Sequence, residues 1–345
     1  MKATIFYGPR DIRVKEVPDP KIQNPDEAIV KVTYSCICGS DLWPYRGLVK
    51  RDAPSRIGHE FMGVVEEVGP AVKNVRAGDL VVAPFTPVDG TCPECLAGMS
   101  SACRNRESWG AGDLDGCQGE KIRVPMADGS LFKIPKDKAP ESLMTALLPL
   151  SDVLCTGHHA AVSAGVGLGK TVAVVGDGAV GLCAVAASHR LGAKQIILIS
   201  THEDRAKIGK QFGATDIVEK REEEAVAAIK KMTGDLGVDC ALECVGLPAS
   251  WKTVFGAVRA GGNIGFVGVP VGVPDIAVRK LLDSNVGVKG GIAPAATYIP
   301  QLMPDVLAGK LDVSAVFTKT VALKDIAEGY RAMDERKEIK VLVKP

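Results

Sequence analysis

Net charge is the first thing this chain has little of. Among its 345 residues, 42 Lys and Arg stand against 41 Asp and Glu, a formal charge of +1. Without a strong field, neither nucleic acid nor an anionic membrane surface is expected as the main partner. No uncharged apolar run reaches the roughly 18 residues that a bilayer-spanning helix needs. The opening residues, Met1-Lys2-Ala3-Thr4-Ile5-Phe6-Tyr7-Gly8, lack the charged-then-apolar order of a secretory signal, so a cytoplasmic location with reduced thiols is the expectation. Ten cysteines are too sparse at this length for a disulfide scaffold, which turns attention to metal binding or redox chemistry. No internal repeat or low-complexity linker is visible.

What is present reads as an ordinary soluble protein, with 46% hydrophobic and 24% charged residues. At roughly 150 residues per domain, two domains are expected. The 38 glycines point to many tight turns and close backbone approaches. Up to about residue 150 the chain offers short β-type runs at 28–34, 63–68, 80–85 and 121–124, with little helical signal. From residue 171 it reads strand, glycine turn, helix, repeatedly. Strands are predicted at 171–175, 195–199, 217–218, 238–245 and 264–269, the last entered through a turn at Gly261-Gly262. Helices are predicted at 179–191, 204–212, 222–232 and 249–258. Such alternation implies a doubly wound parallel sheet with right-handed crossovers, and continuous apolar strands fit burial on both faces. After about residue 292 the rhythm breaks into helices at 297–307 and 324–334 and a strand at 339–343, which either cap that sheet or return to the first domain.

Gly176-Asp177-Gly178-Ala179-Val180-Gly181 fits G-x-G-x-x-G between a strand and a helix, the context that makes the motif a dinucleotide site. Gly176 permits the tight turn, Gly178 the approach of a pyrophosphate and Gly181 close helix packing; the helix N-terminus favours the phosphate charge. The alternative is a plain βα turn. A ribose-binding carboxylate is expected at the tip of the second strand. That strand ends Ile199-Ser200-Thr201-His202, and Glu203 and Asp204 fall inside the next helix. Ser200 and Thr201 offer hydroxyls, and His202 and Arg205 can face a 2′-phosphate, which favours NADP over NAD. Against this, Ser200 or the backbone can hold an unphosphorylated ribose.

Cys92-Pro93-Glu94-Cys95, with Cys103 beyond, has metal-ligand spacing. The residue just ahead of this set is Asp89 rather than a fourth cysteine. A structural Cys₃Asp zinc site is chemically possible, the alternative being an empty lobe held by turns. A second set is dispersed: Cys38-Gly39-Ser40-Asp41, Gly58-His59-Glu60 and Asp152.

Taken together these motifs make the chain resemble the zinc-dependent alcohol dehydrogenases of the medium-chain dehydrogenase/reductase family. Gly58-His59-Glu60-x2-Gly63-x5-Gly69-x2-Val72 matches the family's zinc signature. The Cys38 block, the lobe cysteines, Asp152 ahead of Thr156-Gly157-x-His159 and the glycine turn follow in family order over essentially the whole chain. The resemblance implies a mostly β catalytic domain at 1–153 with a GroES-like, partly open barrel and a zinc lobe at about 89–103. It implies a Rossmann domain at 154–292 and a return to the catalytic domain at 293–345. It implies that Cys38, His59 and Asp152 hold a catalytic zinc with Glu60 as an alternate ligand, and that Ser40 takes the proton of an alcohol that gives hydride to the nicotinamide. Val245, Val267 and Val269 are expected beside the cofactor with Ala179 and Val180. A homodimer or homotetramer is also implied, with the short β run at 286–290 able to pair across a two-fold.

The chain departs from the family where Trp43 replaces a frequent proton-relaying His. Trp43, Phe85 and Trp109 either wall the substrate pocket or pack the core. His159 reads as structural, and Cys36, Cys117, Cys155, Cys183, Cys240 and Cys244 as small packing residues. An NAD-linked polyol, threonine or formaldehyde dehydrogenase on the same scaffold is the alternative enzyme. A silent nucleotide-binding protein and a zinc-free quinone reductase are disfavoured by the intact ligand set.

Overall fold

The computed structural model describes residues 1–135, 137, 139–273 and 278–345. The chain forms two compact units: Met1–Asp152 with Pro294–Lys310 and Ser314–Pro345, and Val153–Ala293 with Leu311–Val313. In the first unit the strands up to residue 135 are β1 (Lys2–Gly8), β2 (Asp11–Glu16), β3 (Ala28–Ile37), β4 (Ser55–Arg56), β5 (Phe61–Val68), β6 (Leu80–Val82), β7 (Lys121–Val124) and β8 (Phe132–Lys133). β3 organises them. Over its first half Val30, Val32 and Tyr34 are buried while Lys31 and Thr33 face solvent, the alternation of a half-covered antiparallel strand. From Tyr34 onward every residue is buried, and this covered end delivers Cys38 to the interior. β3 pairs antiparallel with β5 on one side and with β7 on the other.

In the second unit the strands are β9 (Thr171–Val175), β10 (Gln195–Ile199), β11 (Asp216–Val218), β12 (Val238–Glu243), β13 (Val258–Phe266) and β14 (Gly287–Gly290). Their order is β11-β10-β9-β12-β13-β14 and every pair is parallel, the doubly wound arrangement. The helices Ala179–Arg190, Glu203–Gln211, Glu222–Met232 and Pro248–Ala257 connect them. Ile196, Ile197 and Leu198 are fully buried, each contributing about 1.5–3 kcal/mol through removal from water.

One expectation fails here. Gly261-Gly262 does not turn the chain before a new strand; both glycines lie inside β13. The pairing steps from Val238↔Val258 to Cys240↔Asn263, so the extra residues bulge, and Gly261 takes φ +70° there. β13 consequently ends at Phe266, which leaves Val267 and Val269 in the loop beyond it.

The tail brings the helix Ala295–Leu307, β15 (Phe317–Ala322), the helix Ile326–Asp334 and β16 (Lys340–Lys344). β16 lies antiparallel to β3, with Val341 opposite Ile37 and Val343 opposite Ser35, and β15 lies parallel to β16. The helix Ile326–Asp334 turns Ile326, Tyr330 and Met333 inward at helical spacing, where they join Phe6, Ile12, Ile37 and Val341 in one core. No described helix is long and apolar enough to cross a membrane.

Candidate metal and cofactor sites

β3 runs into Cys38, which heads the tight turn Gly39–Asp41. His59 and Glu60 immediately precede β5, and Asp152 follows the turn Leu148–Ser151. One ligand atom from each of Cys38, His59, Glu60 and Asp152 lies within 4.8 Å of the others. Cys38 Sγ is 3.5 Å from Asp152 Oδ2, and His59 Nε2 is 3.4 Å from the same oxygen. Donors bound tetrahedrally to zinc at 2.0–2.3 Å stand about 3.3–3.8 Å apart, so these residues fit the ion. Glu60 is wholly buried; its Oε1 accepts a 2.6 Å hydrogen bond from Lys340 Nζ, and its Oε2 has no hydrogen-bond partner by distance among the described residues.

Asp41 sits behind His59. Its Oδ2 accepts from the Cys38 backbone N–H at 3.0 Å and from Gln118 Nε2 at 3.3 Å, and its Oδ1 is 3.5 Å from His59 Nδ1. Tyr330 O–H donates to Gln118 Oε1 at 2.9 Å. A carboxylate against the far ring nitrogen orients a metal-binding imidazole. Burial disfavours a charged His59, yet Asp41, Cys38 and Asp152 outweigh it and raise its pKa well above the ordinary value. Burial, then Asp152, pushes the Cys38 thiol up. A cation among these groups reverses both preferences, favouring thiolate and neutral imidazole.

Ser40 is exposed on the turn after Cys38, and Trp43 is half-buried. Trp109 packs in the core: its indole N–H donates to Pro84 O at 3.1 Å and its ring meets Phe61 edge-on. Of the six cysteines read as packing residues, all but half-buried Cys244 are buried.

Asp89, Cys92, Cys95 and Cys103 form a second group with ligand atoms within 4.8 Å. Asp89 Oδ1 accepts from the N–H groups of Thr91 and Cys92 at 2.8 and 2.9 Å, and Oδ2 accepts from Asn105 Nδ2 at 2.8 Å. Burial works against the ionised carboxyl, but these bonds win and hold it well below the usual carboxylate range. A carboxylate has about four acceptor positions, so one remains for a cation.

In the second unit Gly176 has φ +120°, and a Cβ there would meet Val245 Cγ2 at 2.8 Å. A Cβ on Gly181 would stand 1.8 Å from Gly176 O, whereas one on Gly178 would meet nothing within 4 Å. The turn is closed below and open above, at the N-terminus of Ala179–Arg190, where Ala179 and Val180 begin the helix; a pyrophosphate fits there. At the tip of β10, Ser200 is buried, Thr201 exposed, and His202 and Arg205 half-buried. All but Thr201 converge on Asp177. Ser200 Oγ donates to Asp177 Oδ2 at 2.8 Å, His202 Nδ1 lies 2.8 Å from the same oxygen, and Arg205 donates to Oδ1 at 3.2 Å. Thr201 Oγ1 instead accepts from Arg221 at 2.8 Å. Val245, Val267 and Val269 lie in the loops after β12 and β13, where Glu243 Oε1 accepts from the N–H groups of Val245 and Gly246 at 2.9 and 2.8 Å.

Sequence reasoning passed over Asp177, Arg221, Asp41 and Lys340. Asp177 occupies a variable position of its motif, and Arg221 comes from the loop after β11. Only parallel pairing of β9, β10 and β11 brings Asp177 to Ser200 and Arg221 to Thr201.

Residues 24–136 match the family model described as alcohol dehydrogenase GroES-like domain, and residues 179–308 match that described as zinc-binding dehydrogenase. The chain is 36% identical over 352 residues to a probable zinc-binding alcohol dehydrogenase of Mycobacterium tuberculosis, covering all of this chain and 89% of that protein. It is 32% identical over 351 residues to zinc-type alcohol dehydrogenase B of Aspergillus flavus, covering all of this chain and 81% of that protein. Among solved structures, alcohol dehydrogenase TADH from Thermus sp. ATN1 superposes with a TM-score of 0.91 at 32% identity, covering all of this chain and 99% of that one. Matches of this identity and coverage, over the same two-part fold, make the chain a member of the zinc-dependent alcohol dehydrogenase family of medium-chain dehydrogenases/reductases, and hence an oxidoreductase of that family.

Proposed function

We propose that this protein is a zinc-dependent alcohol dehydrogenase that interconverts an alcohol and its aldehyde or ketone, with NADP favoured over NAD. The observation that carries the reading is the convergence of Cys38, His59 and Asp152 at zinc-chelating distances beside a buried Glu60. When bound, zinc polarises the alcohol oxygen as a Lewis acid and the nicotinamide accepts the hydride. Cys38, His59 and Asp152 hold the ion, and Asp41 keeps the His59 ring turned so that Nε2 faces it. Lys340 retains Glu60 beside the set as a reserve ligand. Ser40 would accept the alcohol proton; Trp43 cannot relay it, so water, or the ribose of the cofactor when bound, would take that role. Asp89, Cys92, Cys95 and Cys103 hold a second, structural zinc.

Gly176, Gly178 and Gly181 shape the pyrophosphate site, Ala179 and Val180 lend helix N-terminal N–H groups, and Val245, Val267 and Val269 flank the cofactor. Arg205, Arg221 and His202 gather at the β10 tip, which supports a 2′-phosphate, with Ser200 and Thr201 as hydroxyl donors. A homodimer or homotetramer fits the exposed sheet edge at β14. The experiment is zinc analysis and kinetics on wild type and Cys38→Ala. The variant is expected to lose one zinc per chain and its activity; full activity after metal removal overturns the reading. NAD preferred about tenfold or more in kcat/KM overturns the cofactor assignment alone.

A further inference from the structure

Doubly wound dinucleotide sites commonly place a carboxylate at the tip of the second strand to take the ribose hydroxyls. Here that tip is Ser200, a hydroxyl. A carboxylate nevertheless reaches the same place from the neighbouring strand. β9 and β10 run parallel with Val175 opposite Ile199, so Asp177 lies just past the end of β9 beside the residues just past the end of β10. Its side chain is 16% exposed and receives Ser200, His202 and Arg205. Oδ2 is used twice and Oδ1 once, which leaves Oδ1 an acceptor position. Burial resists ionisation of Asp177, but hydrogen bonds from His202 and Ser200 and the Arg205 charge lower its pKa.

This arrangement has opposite consequences for the two cofactors. An unphosphorylated ribose offers hydroxyl donors, which the open position on Oδ1 accepts. A 2′-phosphate brings about −1.5 to −2 charges and no donor. It meets a fixed negative charge, and Arg205 and His202 are already engaged by that charge. We infer that Asp177 is the specificity-determining residue of the dinucleotide site, a carboxylate supplied by the glycine turn that holds the ribose hydroxyls of NAD and restrains the preference for NADP. The inference rests on the cofactor site proposed above, but it concerns the change made by Asp177 and not the wild-type preference.

The test is equilibrium binding of adenosine 2′,5′-bisphosphate and 5′-AMP, and of NADPH and NADH by nucleotide fluorescence, to wild type, Asp177→Ala and Asp177→Asn. None of these measurements needs turnover. In both variants the affinity ratio of the 2′-phosphorylated ligand to its unphosphorylated partner is expected to rise threefold or more, nearer tenfold in Asp177→Ala, with 5′-AMP weakened. A ratio that moves less than threefold in a variant with wild-type melting behaviour, because both ligands weaken together or neither does, overturns the inference and leaves Asp177 as a strut of the turn. Asp177→Asn keeps the side-chain shape and one acceptor oxygen, for Ser200 or for Arg205, so it serves if the alanine variant does not fold. A wild type that prefers NADH while the ratio still shifts in the variants overturns the NADP assignment and upholds Asp177. A wild type that prefers NADPH with no shift does the reverse.

Discussion

Replacing Lys340 by Met tests the buried ion pair beside the metal ligands. Lys340 and Glu60 side chains are 1% and 0% exposed, and their 2.6 Å contact is the hydrogen bond Glu60 has through Oε1. Lys340 also donates to Ile37 O at 3.4 Å. Met keeps most of the apolar stem, so the cavity contribution is small and the loss is that of the buried cation. With Lys340 gone, no other cation pairs with Glu60 among the described residues, so its carboxylate becomes an uncompensated buried charge. Removing one partner of such a pair costs about 3–5 kcal/mol. For a unit of this size that is about 6–20 °C in Tm. The assay is thermal unfolding of the metal-free protein, with Glu60→Gln/Lys340→Met as companion. The double variant is expected to regain more than half of the loss, since neutralising both partners removes the unpaired charge. Zinc is expected to narrow the gap for Lys340→Met, because the freed carboxylate lies within 4.8 Å of the other ligand atoms. Burial opposes the Lys340 ammonium, but neighbouring Cys36 and Glu60 raise its pKa well above the usual value. A raised lysine pKa keeps its contribution below the unfolded value of about 10.4 and loses it only as pH rises through the folded one. A metal-free loss under about 1 kcal/mol, or a double variant no better than the single, refutes the reasoning.

Burial lowers His158 and His159 to about 4, helped by Arg190 at the first and Lys289 at the second. They are therefore neutral when folded, and protons bind the unfolded chain first. Their stabilising contribution is full above about pH 6.5 and declines toward pH 4, by roughly 2 kcal/mol per histidine at pH 5. Urea midpoints at pH 7 and 5 measure this, and replacing both by Asn flattens the dependence; a wild-type midpoint that does not move counts against it. Gly181→Ala places a Cβ 1.8 Å from Gly176 O, so the turn must open. NADPH affinity falls about tenfold or more, with about 1–3 kcal/mol of stability lost; unchanged binding in a fluorescence titration contradicts that geometry. Asp89→Ala lowers zinc from two per chain to one by metal analysis, and Asp89→Cys restores it; two tightly held zincs in Asp89→Ala remove Asp89 from the ligand set.

The parallel sheet was legible because its strands are apolar, its helices long enough to be periodic and its turns marked by glycine. Gly261-Gly262 misled for the same reason: glycine marks a bulge inside β13 as readily as a turn between strands. β1 and β2 escaped notice because a short amino-terminal hairpin carries little periodicity. Cys38, His59 and Asp152 were legible through motifs, but the groups that hold them were not. Asp41 meets His59 because β3 and β5 pair, and Lys340 meets Glu60 across 280 positions only because β16 and β5 both flank β3. Asp177 and Arg221 were invisible for a related reason. Their role depends on which strand tips adjoin, and that follows from strand order rather than from local pattern.

The antiparallel seam between β3 and β16 also bears on how the chain matures. Residues 153–293 are contiguous and make up all of the second unit but Leu311–Val313, so most of that unit can form before the chain is finished. The strand that carries Cys38 must wait for a partner made some three hundred residues later. Until β16 arrives, the covered end of β3 shows water its unpaired backbone, and Glu60 has no counter-charge. Closing so long a loop is entropically slow. The β3–β16 seam, and with it the Lys340–Glu60 pair, is thus completed only after residues 153–293 have been made.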